Sequence, residues 1–170
     1  MKQADAEKLL KDKKLIAEVE EVYYSKGSNY EYAPVGYVIK QEPASGSSIA
    51  EGSTVKIYVN KGFSANITVN LPSDLKLEQY YVSLWADGVA VAESKMLDAT
   101  QLSKYTFENV TSKRDSGTYT VKIRSASSNA LDYQVLTVDF KEGTAKRVGS
   151  YDDYKKLDAD TSSSDNEDFN

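Results

Sequence analysis

The sequence predicts an α+β domain with a short helix on a small sheet, then an all-β sandwich, then a disordered acidic tail. Three observations predict this. Helical amphipathic spacing is confined to the stretch from Lys2 to Lys14, where Ala6, Leu9 and Leu10 share one face. Beyond it, apolar and polar residues alternate in short runs punctuated by Gly, Pro, Asp and Asn, the pattern of half-buried strands. From Gly149 onward the chain turns to Asp, Ser and Asn with few apolar residues, too little burial to offset the entropy of ordering.

Each element follows in order. Leu15 to Tyr24 is rich in strand formers and leads into the loop Ser25-Lys26-Gly27-Ser28-Asn29. Val38 and Ile39 open a second strand that ends in a turn from Pro43 to Gly46, and Glu51-Gly52 makes another turn. Val55, Ile57 and Val59 then alternate with Thr54, Lys56 and Tyr58, which puts three aliphatic side chains on one face and a polar set on the other. The outward set Lys40, Glu42, Lys56 and Tyr58 is where a polar ligand could meet this sheet. After Gly62 a new strand carries Ile67, Val69 and Leu71, with a short joint around residues 61–65 that predicts a limited hinge.

The second half reads as strands throughout. Tyr80 to Ala86 and Val89 to Glu93 flank Asp87-Gly88, a strong hairpin signal because a type I′ turn needs positive φ at both central residues. Tyr105 to Val110 is a further strand, Tyr119, Val121 and Ile123 share one face of the next, and Leu136, Val138 and Phe140 share one face of the last. The predicted domains are therefore residues 1–62, 63–148 and 149–170.

Composition excludes several function classes. The chain has 170 residues, no Cys and no His, so disulfides and thiolate metal sites are ruled out and the commonest general base is missing; neither a metal nor another cofactor is expected. No apolar run approaches the ~18–20 residues of a membrane helix, and the charged start reads as an amphipathic helix rather than a signal peptide. A net charge of -5 disfavours nucleic acid as a partner. An EF-hand loop starting at Asp158 fails, because Ser163 stands where the turn Gly is needed and Phe169 where the bidentate Glu is needed. Adjacent acids such as Glu20-Glu21 and Asp152-Asp153 do not predict a cleft for glycoside hydrolysis. Tyrosine is abundant, at 13, and Tyr23, Tyr24, Tyr30, Tyr32 and Tyr37 cluster before the second strand, either as good strand formers or as a sugar-stacking platform.

The spacing of Val38, Ile39, Gln41, Pro43, Gly46, Ile49, Gly52, Ser53, Val55 and Lys61-Gly62 resembles the PASTA domain, a repeat found outside the membrane in bacterial Ser/Thr kinases and some penicillin-binding proteins. That resemblance implies an opening strand before the helix, which is missing here, so the chain is expected to be part of a longer protein. It also implies the C-terminal extracellular end of a Firmicutes-like membrane Ser/Thr kinase, non-catalytic in itself, whose membrane helix and kinase domain lie upstream. The implied location is the outer face of the cell membrane or the cell wall. The implied partners are peptidoglycan fragments or cell-wall precursors, with dimerisation of the parent ectodomain left open. No Gly-rich loop, His-Arg-Asp or Asp-Phe-Gly motif occurs in the chain. The alternatives are the PASTA-containing tail of a penicillin-binding protein and a structural cell-surface spacer. A shorter match, Asp115-Ser-Gly-Thr-Tyr119, resembles the tyrosine corner of immunoglobulin-like sandwiches, for which Trp85 would serve as a core aromatic although the usual cysteine pair is absent.

Overall fold

The computed structural model describes residues 1–160 and is mostly β-sheet with one helix longer than a single turn. The chain divides into two compact units. The first holds residues 1–65 together with Thr111–Asp115 and Phe140–Gly143, and the second holds the remainder.

In the first unit, α1 (Gln3–Asp12) is followed by β1 (Ile16–Tyr24), β2 (Val38–Glu42) and the first part of β3 (Thr54–Asn70). β3 is central, with β1 parallel to it on one side and β2 antiparallel on the other. Val55, Ile57 and Val59 form the buried face predicted by their alternation, and Ala6 of α1 closes over them with Leu10, Leu15 and Val38 around the margin. Leu9 departs from the predicted helix face: it is 43% exposed, because the contact is made by the i, i+4 pair Ala6 and Leu10 and leaves Leu9 on the rim.

β3 also departs from the sequence reading. Two strands with a joint at 61–65 were expected, whereas the backbone stays extended from Thr54 to Asn70. Lys61-Gly62 lies inside this strand. The glycine is required by close approach, since a Cβ there would stand 2.6 Å from the Ser112 carbonyl oxygen and 2.7 Å from Tyr23 Cε1.

The second unit contains β4 (Gln79–Ala86), β5 (Val89–Glu93), β6 (Leu97–Asp98), β7 (Lys104–Ser112, apart from its last two residues), β8 (Ser116–Arg124), β9 (Leu131–Asp139) and β10 (Thr144–Ser150). The sheet order is β10-β9-β8-β4-β5, with β6 paired to β4, all antiparallel. The Asp87-Gly88 hairpin forms as its turn chemistry predicts, with φ of 49° and 79°. Tyr80, Val82 and Leu84 of β4, Tyr119, Val121 and Ile123 of β8, and Leu136 and Val138 of β9 are buried in alternation.

Two expectations need correction here. Trp85 falls on the strand face opposite Tyr80, Val82 and Leu84 and is half-buried: its Nε1 donates to Ser83 Oγ at 2.8 Å, and the Lys122 ammonium lies 4.7 Å from the ring centre. The disordered tail does not begin at 149. β10 runs to Ser150, a 3-10 turn covers Asp153–Lys156, and Tyr154 and Leu157 are buried, since these two apolar groups have something to dock on. Residues 161–170 of that predicted tail lie outside the described residues.

Candidate ligand-binding face

The four predicted site residues come together on the sheet face of the first unit that points away from α1. Register explains this: Lys40 stands beside Tyr58 across the β2–β3 pair, and Glu42 beside Lys56. Residues directly opposite one another on neighbouring strands share a face. Lys40 Nζ is 2.6 Å from Glu42 Oε1, and the Tyr58 hydroxyl donates to Glu42 Oε2 at 2.9 Å. The Lys40 and Lys56 ammonium groups lie 5.1 and 5.3 Å from the Tyr58 ring centre.

Sequence reasoning missed two further members, Glu18 and Glu20, and named Tyr30 only within a possible stacking platform. Parallel pairing sets Glu18 beside Lys56 and Glu20 beside Tyr58. Lys56 Nζ makes an ion pair with Glu20 and lies 3.9 Å from Glu18. Tyr30 adds a second ring, its centroid 5.8 Å from that of Tyr58. The alternation of Glu18 and Glu20 within β1 was visible in the sequence, but nothing local states which strand lies beside them. The remaining tyrosines form no single platform with this pair. Tyr24, Tyr32 and Phe63 pack as a separate cluster, with Tyr32 and Phe63 stacked at 6.0 Å, and Tyr23 lies under the Lys61 ammonium.

The electrostatics follow from these contacts. The hydrogen bond to Glu42 holds the Lys40 ammonium above its ordinary range, and Glu20 does the same for Lys56. Lys40 and then Tyr58 hold the Glu42 carboxyl below the usual carboxylate range, while Glu42 raises the Tyr58 phenol. Each lysine is therefore matched by a carboxylate, and the face combines two aromatic rings with hydrogen-bonding groups of both kinds. Such a surface can stack on a ring and hydrogen-bond hydroxyls or amides.

The first unit is thus a small α+β module with a polar and aromatic sheet face. Residues 1–61 match the family model described as the PASTA domain, and this part of the chain is a PASTA domain. A solved structure of the entire extracellular region of the Ser/Thr kinase PrkC from Staphylococcus aureus aligns with 82% of the chain at 23% identity and a TM-score of 0.31. The chain spans 48% of the length of that region. No curated protein matches.

Proposed function

We propose that this chain is an extracellular wall-sensing module of a membrane Ser/Thr kinase, non-catalytic in itself, which binds peptidoglycan fragments on the Lys40, Glu42, Lys56 and Tyr58 face. The observation that carries the reading is the PASTA domain over residues 1–61. The polar and aromatic cluster around Tyr58 supports the choice of face, because a glycopeptide presents both ring faces and amides to such a surface. No helix among the described residues is long and apolar enough to cross a membrane. In this reading residues 1–62 form the PASTA domain and residues 63–148 an immunoglobulin-like sandwich, the latter supported by the buried Tyr119 that follows Asp115-Ser-Gly-Thr.

A second reading, a structural spacer, is favoured by one feature of the same face: both lysines are already matched by carboxylates of the chain. Titration of the isotopically labelled chain with Lys-type and diaminopimelate-type muropeptides separates the two. The sensing reading expects saturating amide shifts around Lys40 and Lys56–Tyr58, lost in Lys56→Ala and Tyr58→Ala. An absence of shifts at millimolar ligand leaves the spacer.

A further inference from the structure

A cavity of about 400 Å³ lies in the second unit beside the ends of β9 and β10, within the ~300–1,000 Å³ range of small-molecule sites. Two register irregularities meet there. Between β8 and β9 the pairing passes from Val121 beside Gln134 to Lys122 beside Asp132, which leaves Tyr133 as an extra residue. Between β10 and β9 it passes from Arg147 beside Leu136 to Gly149 beside Val135, which leaves Val148 as another. On a regular strand Arg147 and Ser150, three residues apart, would point to opposite faces; with the bulge between them both line the cavity. Bulges re-aim side chains next to functional sites, and here two of them, on adjacent strands, border one cavity.

The lining has a definite chemistry. The Tyr133 and Tyr154 rings meet edge to face at 4.8 Å, and Tyr151 is 43% exposed. Tyr154 donates to Asp74 Oδ1 at 2.7 Å, and the Lys155 ammonium lies 3.3 Å from Asp74 and 2.8 Å from Asp152, so the two wall carboxylates share one cation. The Arg147 side chain is exposed and makes no hydrogen bond or ion pair with any described residue. Burial pushes the Tyr133 hydroxyl up while the Arg147 guanidinium, close by, pulls it down. Gln134 is buried beside them, its Nε2 donating to the Asn70 carbonyl at 3.4 Å.

We propose that this cavity binds a saccharide carrying a single carboxylate, with the Arg147 guanidinium taking the carboxylate as a fork, the tyrosine rings facing the sugar, and Ser150 and Asp152 meeting its hydroxyls. One guanidinium without a side-chain partner among the described residues suits one carboxylate. A phosphate dianion is disfavoured by the two carboxylates in the wall. The site does not rest on the PASTA face and involves none of its residues.

The test titrates the labelled full chain with a glucuronate–N-acetylglucosamine disaccharide, its methyl ester and inorganic phosphate. The disaccharide is expected to give saturating amide shifts at residues 70–74, 133–134 and 147–152. The ester, and the free acid with Arg147→Gln, bind about tenfold or more weakly, as loss of a charge-assisted contact requires. Arg147 is exposed, so the variant keeps the wild-type spectrum elsewhere, and Tyr151→Ala gives an independent loss. The proposal is overturned by equal binding of acid and ester, by unchanged affinity in Arg147→Gln, by phosphate binding as tightly as the disaccharide, or by no saturating shift in these residues at ~10 mM ligand. Shifts confined to residues 38–58 overturn it too, and leave the PASTA face intact.

Discussion

Replacing Asn60 by Leu tests the physical account of the first unit most directly. Asn60 is fully buried within β3, and its side chain serves three backbone groups. Its Oδ1 accepts from the Gly62 N–H at 3.0 Å and, more weakly, from the Tyr24 N–H at 3.4 Å, while Nδ2 donates to the Ala33 carbonyl at 2.8 Å. The bond to Gly62 supports the place where the β1 register shifts past Lys61, and the bond to Ala33 ties down the loop before β2. Leucine keeps a similar volume and offers no polar atom. Each buried backbone group left unmatched costs about 1–3 kcal/mol, so the two strong contacts together predict a loss of about 2–6 kcal/mol. Native-state hydrogen exchange of the β1 and β3 amides measures it, with Trp85 fluorescence as a separate reporter on the second unit. Asn60→Asp adds a sign. A carboxyl there is raised by burial, and only its neutral form can donate to Ala33, so its stabilising contact is complete below the unfolded carboxyl pKa and is lost as pH rises through the folded value. A loss below about 1 kcal/mol in Asn60→Leu, or an Asn60→Asp variant no more stable in acid, would refute the reasoning.

Three further outcomes are expected. Gly62→Ala should cost about 1–3 kcal/mol in the same exchange experiment, because its Cβ meets backbone at Ser112 and cannot be relieved by a rotamer change; wild-type stability would contradict the close approach. Glu42 should titrate below the ordinary carboxylate range by carbon NMR, its contribution to stability being present above that range and lost as pH falls through its own midpoint; Tyr58→Phe should move the midpoint upward, and an unmoved midpoint would mean that the hydrogen bond is absent in solution. Leu157→Ala should destabilise by about 2–5 kcal/mol and release protection at β9, whereas a silent substitution would restore the picture of a tail loose from 149 onward.

The strands of both units were legible because their signal is local: a period of two, and turns whose chemistry sits in two or three consecutive residues. Val55, Ile57 and Val59, the Asp87-Gly88 hairpin, and Tyr119, Val121 and Ile123 all stand where that signal places them. The candidate face was half legible. Lys40, Glu42, Lys56 and Tyr58 follow from alternation along adjacent strands, whereas Glu18 and Glu20 are brought in by a parallel pairing of β1 with β3 that no short-range pattern encodes, and Tyr30 reaches Tyr58 from the segment between β1 and β2.

Taken alone, the amino-acid sequence determined the short amphipathic helix, the strand faces, the hairpin and the PASTA character of the first third, since each depends on side chains and turns close in the chain. The tertiary structure alone decided which neighbour a side chain meets. It made Lys61-Gly62 part of an unbroken strand, because Ser112 and Tyr23 come to lie against the glycine. It turned Trp85 away from the Tyr80, Val82 and Leu84 side of its strand, buried Asn60 among backbone groups, and gave Tyr154 and Leu157 a surface to dock on in a segment whose composition reads as disordered. Burial and hydrogen-bond satisfaction are properties of pairs, and the partners here are distant in sequence.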